Sequence, residues 1–418
     1  MGSPGWADLL PAHRADGDDQ PVGRPRCVDD IRLGDSLRLA VYEDERGRTY
    51  PVPVVDTSVG VRRARPGDGA SEALLALLSD GDRTIGSLEV TTWHHSSAAG
   101  ERAITVDQTN ESVVVGERAV VKWTFLAEEG PHPGPSLLAE LSRNGFTGMP
   151  RPWGAVQWHP ADGTPARLLA LVVDFLPGAA DGWTWVVDRV REAAGGDRGT
   201  AAQDCGAAIG ALVAEFHRAL AGTSRRAAVD EAARLKESAL ADLERALSVT
   251  AGTSRDVLVR RARELRAVFD AMPREATPLM RVHGDLHIGQ VLSTGTVCAL
   301  TDFDGNPVVP ASQRWREQPA AVDVAGMAQS FTHAGLVVRK HHPGLSPDRV
   351  TRMAGAARMA FLATYREGLG DRASLLDERL LRPLALQQVC REFTYAATHL
   401  PRWSYVPEAA LPMLLEGP

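Results

Sequence analysis

Arg281-Val-His-Gly-Asp-Leu-His-Ile-Gly-Gln290, followed after an apolar run by Leu300-Thr-Asp-Phe-Asp-Gly305, decides the reading of this chain. Asp285 precedes the amide of Gln290 by five residues, Asp302 follows the next apolar strand, and Asp304 stands two positions further on. This order of acid, amide and acids is the layout of a phosphoryl-transfer centre. One acid takes the proton of an acceptor hydroxyl, while an amide and further carboxylates hold Mg²⁺ on nucleotide phosphates. Such transfer is mostly positioning and charge neutralisation. Asp285 is therefore expected to be the base, with Gln290 and Asp302 as oxygen ligands of the metal. Asp304 either adds a metal contact or faces the acceptor. Gly284 and Gly289 place the segment on a loop. His283 is then expected to prop that loop and His287 to pack or face solvent, which disfavours zinc at this pair.

Upstream, Val113-Val-Val-Gly-Glu-Arg-Ala-Val-Val-Lys-Trp-Thr-Phe125 predicts a hairpin through Gly116-Glu117, with Lys122 near the end of an apolar strand. A helix at about 135–144 carries Glu140. A strand lysine with a glutamate on the next helix is the pair that orients nucleotide phosphates in kinase-like folds. No G-x-G-x-x-G precedes Lys122. The polar turn Gln108–Ser112 must cradle phosphate instead, with backbone N–H groups and side chains such as Ser112. The buried strand at 168–176 ends at Pro177-Gly178, the place of a hinge, where the backbone from Val173 to Phe175 would meet the adenine edge.

The remaining organisation is α+β. Alternating apolar residues over 31–62 predict a β-hairpin through Glu45-Arg46-Gly47. Residues 71–79 predict a short helix with Ser71 as its cap. We expect a β-rich N-terminal cap over 1–95, a β-rich nucleotide-binding lobe over 96–176, and a mainly helical lobe over 177–418. In that last lobe Ile209, Leu212, Val213, Phe216 and Leu220 form a helical stripe with His217 packed near it. Asp323 stands near the N-cap of another helix. The loop from Asn306 to Pro319 is long enough to be functional.

Composition narrows the function classes. With 44% hydrophobic and 24% charged residues the chain is an ordinary globular one. Its net charge of −7 argues against nucleic-acid binding and suits a cationic small substrate. No apolar run predicts a membrane span, and no h-region predicts a signal peptide. Four scattered cysteines read as reduced, giving a cytoplasmic expectation. The expected state is monomer or homodimer.

At these residues the sequence resembles the aminoglycoside-phosphotransferase-like kinases of the protein-kinase-like superfamily. Val282-His-Gly-Asp-Leu-His-Ile-Gly-Gln-Val-Leu292, Asp302-Phe-Asp-Gly305 and Asp323-Val-Ala-Gly-Met327 resemble bacterial maltokinases, as does the N-terminal cap. The chain departs from maltokinases at Asp302-Phe-Asp-Gly-Asn-Pro307, where they carry Asp-Phe-Glu-Gly-Glu-Pro, and at Gln313-Arg-Trp-Arg-Glu317. These features resemble the actinobacterial glucosamine kinases. The resemblance implies a bilobal kinase fold, transfer from ATP to glucosamine giving glucosamine 6-phosphate, and a Mg²⁺ requirement. It also implies Asp285 as base, Gln290 and Asp302 as metal ligands, and Lys122 with Glu140 on the phosphates.

The 2-amino group of such a sugar is largely protonated near neutral pH, and Asp304 or Glu317 would supply its carboxylate. Gln313 and Arg316 would bond sugar hydroxyls, and Trp315 or Trp403 would stack on the pyranose. Arg314, Arg316 and Glu317 also fit an ordinary surface ion-pair group, with Trp315 anchoring the loop. The rival readings are a maltokinase making maltose 1-phosphate, an aminoglycoside kinase, and a non-catalytic nucleotide-binding module.

Overall fold

The computed structural model describes residues 4–10, 20–58, 60–104, 111–130, 132–196, 199–273, 277–295, 297–307 and 309–416. The chain divides into two compact units, Met1–Arg143 with Pro150–Gly178 and Pro307–Trp315, and Asn144–Met149 with Ala179–Asn306 and Arg316–Pro418.

The first unit is β-rich. A short helix, α1 (Trp6–Leu9), precedes an antiparallel sheet of β1 (Arg26–Arg32), β2 (Leu37–Glu43), β3 (Thr49–Thr57) and β4 (Gly60–Arg63). The expected hairpin joins β2 to β3, with Leu37 opposite Val55 and Glu43 opposite Thr49. Asp44 closes it by accepting the N–H groups of Arg46 and Arg48. Both faces of β2 are buried: Leu39 and Val41 enter one apolar cluster, Ala40 and Tyr42 another.

Next come α2 (Ala70–Ser79), β5 (Arg83–Ile85), β6 (Leu88–Thr92), β7 (Glu101–Ala103), β8 (Glu111–Val115), β9 (Ala119–Trp123), α3 (Pro133–Arg143), β10 (Pro152–Trp158) and β11 (Arg167–Asp174). Their strands make one seven-stranded sheet in the order β5-β6-β10-β11-β9-β8-β7. That sheet runs across residue 95, so the segment expected as a cap supplies two of its strands. Ser71 does not cap α2. It is buried in the first turn, where its hydroxyl accepts from Trp123 Nε1 at 3.1 Å. The capping acceptor is the Glu101 carboxylate, which takes the N–H groups of Gly67, Gly69, Ser71 and Glu72 at 2.6–3.1 Å.

The second unit is mainly helical. It contains β12 (Ala180–Asp181), α4 (Gly182–Gly195), α5 (Ala201–Ala219), β13 (Arg225–Arg226), α6 (Val229–Val249), α7 (Gly252–Asp270), β14 (Pro278–Leu279), β15 (Val291–Ser293) and β16 (Cys298–Leu300). After the four-residue α8 (Ala311–Arg314), which belongs to the first unit, come α9 (Ala321–His341), α10 (Pro347–Leu369), α11 (Leu381–Thr398) and α12 (Tyr405–Glu416). The apolar stripe expected on α5 is buried at Ile209, Leu212, Val213, Phe216 and Leu220. Fourteen residues of α9 are buried, which makes it the central helix of this unit. Among the described residues, no helix is long and apolar enough to cross a membrane.

Candidate active site

The loop 281–290 is held from beneath by α9. Asp323, in the first turn of that helix, does not cap it. Its fully buried carboxylate accepts the N–H groups of His283 at 2.8 Å and Gly284 at 2.9 Å. His217 Nε2 lies 3.1 Å from the same carboxylate, and its Nδ1 lies 2.8 Å from the Tyr365 hydroxyl. With Nε2–H donating to Asp323, Nδ1 accepts from Tyr365. His283 props the loop a second way, its Nε2 lying 2.9 Å from the Thr301 carbonyl. Ser330 of α9 accepts the Ile288 N–H at 3.1 Å. Two glycines let helices reach the loop backbone. A Cβ at Gly326 would stand 2.6 Å from the Leu286 carbonyl oxygen, and one at Gly182 1.8 Å from that of Ile288.

Asp285 emerges from this braced loop. Asn306 Nδ2 donates to its Oδ1 at 2.9 Å, which fixes one carboxylate oxygen, and the half-buried residue lines the neighbouring pocket. Burial, with a smaller contribution from the Asp302 charge, pushes its carboxyl up to about 6. The group remains mostly ionised at neutral pH, yet is far more basic than an ordinary aspartate. A base of this strength can take a hydroxyl proton as the oxygen attacks. His287 is half-buried and packs near Trp183, with ring centroids 6.2 Å apart. Its Nδ1 accepts the Gly289 N–H at 3.0 Å, and burial lowers its pKa to about 4, so it is a neutral imidazole.

Gln290 closes the loop in a short 3-10 turn, Ile288–Gln290. Its carbonyl accepts the Thr301 N–H at 2.9 Å, which ties the loop to the strand leading to Asp302. Gln290 Nε2 and Asp302 Oδ2 come within 3.5 Å. Asp302 is exposed and left-handed, with φ of 64°, an uncommon conformation for a residue with a side chain. Phe303 is buried beside it, its ring 5.2 Å from that of His283. Asp304 follows, partly buried. The donor set of Gln290, Asp302 and Asp304 is all oxygen and suits Mg²⁺, which binds through one or two carboxylates and completes its shell with phosphate and water. Among the described residues, no three His, Cys, Asp or Glu side chains gather as a metal cage.

Beside Asp285 opens a pocket of about 130 Å³. The loop 284–287 forms one wall, and Val322, Gly326, Ser330 and His333 run along α9 to form another. Gln388, Arg391 and Glu392 of α11 close it, with Trp183 and Trp403 at its side. The two tryptophan rings meet edge to face at 5.9 Å. Trp403, one of the two tryptophans expected on the acceptor, thus lines the same pocket as Asp285. Trp183, His333, Arg391 and Glu392 were not foreseen. They lie on helices whose spacing reads only as amphipathic, and no local signal marks them.

The other residues expected on the acceptor lie elsewhere. Gln313 and Trp315 belong to the first unit and are exposed, Trp315 at 49%. Arg316 and Glu317 belong to the second. The Glu317 carboxylate pairs with Arg225, which also binds Glu231 at 2.7 Å. Arg314 braces the preceding loop through Glu128 and the Val309 and Pro307 carbonyls.

In the first unit, Lys122 lies on β9 directly opposite Ser112 on β8 and Leu171 on β11. Ala119, Val121 and Trp123 face the core, so Lys122 lies on the other face of the sheet. Glu140 lies on α3 and is partly buried. Residues 108–110 of the expected phosphate turn fall outside the described residues. At the expected hinge the N–H of Asp174 donates to the Arg151 carbonyl and that of Phe175 to the Arg118 carbonyl, both at 2.8 Å. Those two donors are therefore already used within this unit. The Arg102 guanidinium lies 5.1 Å from the Phe175 ring centroid.

The family model described as "Phosphotransferase enzyme family" matches residues 123–340, just over half the chain. The chain belongs to this family. A glucosamine kinase of Mycolicibacterium smegmatis (strain ATCC 700084 / mc(2)155) is 45% identical, covering 93% of this chain and 98% of its own. One of Streptacidiphilus jiangxiensis is 43% identical, covering 92% and 90%. Among solved structures, a glucosamine kinase in complex with glucosamine, ADP and inorganic phosphate superposes with a TM-score of 0.80 at 39% identity, covering 94% of both chains. Crystal form B of a glucosamine kinase gives 0.85 at 38%, covering 98% and 97%. The expected α+β kinase-like fold with a β-rich N-terminal part is the one observed.

Proposed function

We propose that this chain is a glucosamine kinase, moving the terminal phosphoryl group of ATP to the 6-hydroxyl of glucosamine in a Mg²⁺-dependent reaction. The observation that carries this reading is the 45% identity to a glucosamine kinase across 93% of the chain. The pocket beside Asp285 supports it: two tryptophans offer apolar surface for a pyranose, and a basic carboxylate stands where the acceptor hydroxyl enters.

In the second unit, Asp285 accepts the hydroxyl proton while Asn306 holds its other oxygen. Gln290 and Asp302, with Asp304 near them in sequence, would hold Mg²⁺, which offsets charge on the nucleotide's phosphates when bound. Trp403 flanks the sugar in the pocket beside Asp285. In the first unit, Lys122 with Glu140 and Ser112 would bind phosphate, and the backbone of Val173–Phe175 would meet adenine.

ADP release measured with glucosamine, glucose, maltose, N-acetylglucosamine and kanamycin tests the reading. Turnover is expected with glucosamine foremost and only with a divalent cation present. Preference for maltose would make the chain a maltokinase. No turnover with any of the five would favour a nucleotide-binding module.

A further inference from the structure

We propose that His287 is a positioning residue for metal binding: its ring N–H orients the side-chain amide of Gln290, so that the amide presents oxygen to a cation shared with Asp302. This rests on the reading of Gln290 and Asp302 as Mg²⁺ ligands and adds what makes an amide fit for that role.

A carboxamide has one end that can ligate a hard cation and one that cannot, and the two ends have nearly the same shape. Asp302 presents oxygen whichever way its carboxylate turns. Gln290 does not, so its amide must be set. Alone, the pair favours the wrong end. Gln290 Nε2 lies 3.5 Å from Asp302 Oδ2, where an N–H meets a carboxylate.

His287 supplies the opposing preference. The Gly289 N–H donates to its Nδ1 at 3.0 Å, so Nδ1 carries the lone pair and the ring proton sits on Nε2. That Nε2–H calls for an acceptor. The group it meets, at 3.4 Å, is the Gln290 amide, through the same terminal atom that faces Asp302. With nitrogen at that point, two N–H donors oppose each other. With the amide turned over, its oxygen accepts from His287 and faces the Asp302 carboxylate. Two oxygens so placed repel each other alone and suit a divalent cation.

The imidazole is itself held. Ile288–Gln290 is a single 3-10 turn with His287 as its cap, so ring and amide flank one short turn. Trp183 of α4 lies against the ring, and a Cβ at Gly289 would stand 2.7 Å from both His287 Cε1 and Trp183 Nε1. The turn closes on both rings, and the amide is the part left to adjust.

Two substitutions separate the ring nitrogens. His287→Asn keeps an acceptor near the Nδ1 position and lacks the Nε2–H, whereas His287→Gln brings a donor to the Nε2 position. Mn²⁺ binding in the presence of ADP, read by electron paramagnetic resonance beside a thermal melt, reports the site without turnover. His287→Asn is expected to weaken Mn²⁺ binding by about 3- to 10-fold, the scale of one lost hydrogen bond, and His287→Gln to recover most of it. Gln290→Ala should weaken binding too, and adding His287→Asn to it should change nothing more. Should His287→Asn not fold, the ¹⁵N spectrum of the wild-type histidines decides: the proton belongs on Nε2 and should shift on addition of Mg²⁺ with ADP. Unchanged Mn²⁺ affinity in His287→Asn, equal loss in His287→Asn and His287→Gln, a further loss on top of Gln290→Ala, or an Nε2–H indifferent to Mg²⁺ overturns the assignment. A wild-type chain that binds no Mn²⁺ with ADP, or a Gln290→Ala chain that binds it as wild type does, overturns the metal reading and the assignment with it.

Discussion

Asn306 Nδ2 donates to Asp285 Oδ1 at 2.9 Å, so the proposed base is aimed by a residue on the segment that follows Asp302. This bond favours the ionised carboxylate, against the burial that pushes its pKa up to about 6. The acid limb of kcat/KM is accordingly expected near pH 6. Asn306→Ala removes the donor and should move that limb to higher pH while lowering kcat. A limb that stays in place would mean that Asn306 does not act on the base.

Asp285→Asn should lower kcat by about 10²- to 10⁴-fold, the usual share of a general base, while nucleotide binding persists. Its effect on stability has the opposite sign. A carboxyl whose folded pKa is raised contributes stability only while it is protonated in the fold. That contribution is complete below the ordinary aspartate range and is lost as pH rises toward 6. Above pH 6 the wild type therefore keeps an ill-solvated charge that the amide lacks. Asp285→Asn should be more stable than wild type by roughly 1–3 kcal/mol at neutral pH, with the gain vanishing near pH 3.5. Paired thermal melts at the two pH values check this.

Asp323 braces the loop from below through the N–H groups of His283 and Gly284. Asp323→Ala leaves those donors and His217 buried without an acceptor. A loss of roughly 1–3 kcal/mol follows for each such group left unpaired, with kcat reduced more than KM because the base is displaced. A variant with wild-type kcat would show that the loop keeps its shape without the brace.

At Gly326 there is no room for even a methyl group, since a Cβ would meet the Leu286 carbonyl at 2.6 Å. Gly326→Ala should destabilise by roughly 1–3 kcal/mol through overpacking and depress turnover by shifting Leu286, the neighbour of Asp285. Unchanged melting temperature and unchanged kcat together would contradict the packing argument.

In the first unit, Glu101 accepts four N–H groups around the start of α2. Glu101→Ala should cost roughly 1–2 kcal/mol, the scale of a lost helix cap, with KM and kcat for glucosamine unaltered. Altered catalytic constants at full occupancy of the fold would give Glu101 more than a structural part.

The fold was legible where chemistry is local. The run from His283 to Gln290 with Asp302 pointed to the phosphotransferase family, because here acid, amide and acid lie close along the chain on one loop and the following strand. The β2–β3 hairpin declares itself by alternation and a glycine turn, and α5 by its apolar stripe. Ser71 misled because a serine at the head of an apolar helix is a good cap by composition, whereas the acceptor, Glu101, lies thirty residues away and reaches the helix only through the fold. Among its lining residues, the pocket was legible at Asp285 and Trp403. His333 and Glu392 are separated by 59 residues and meet only because α9 packs on α11, a relationship that neither helix's periodicity encodes. Asp323 was legible at a helix start, but its partners, the N–H groups of His283 and Gly284, lie forty and thirty-nine residues away and are met only in the fold.

The seven-stranded sheet has a further consequence for anyone trimming the chain. A protein begun at residue 96 would retain the loop, the base and the pocket, and would match every catalytic motif. It would also lose β6, which pairs with β10 from Gly154–Thr92 to Trp158–Leu88. The edge of β10 would then offer a row of unpaired amides to any passing strand. Such a fragment is expected to aggregate rather than serve as a minimal enzyme, so the leading quarter of the chain acts as a built-in guard against polymerisation.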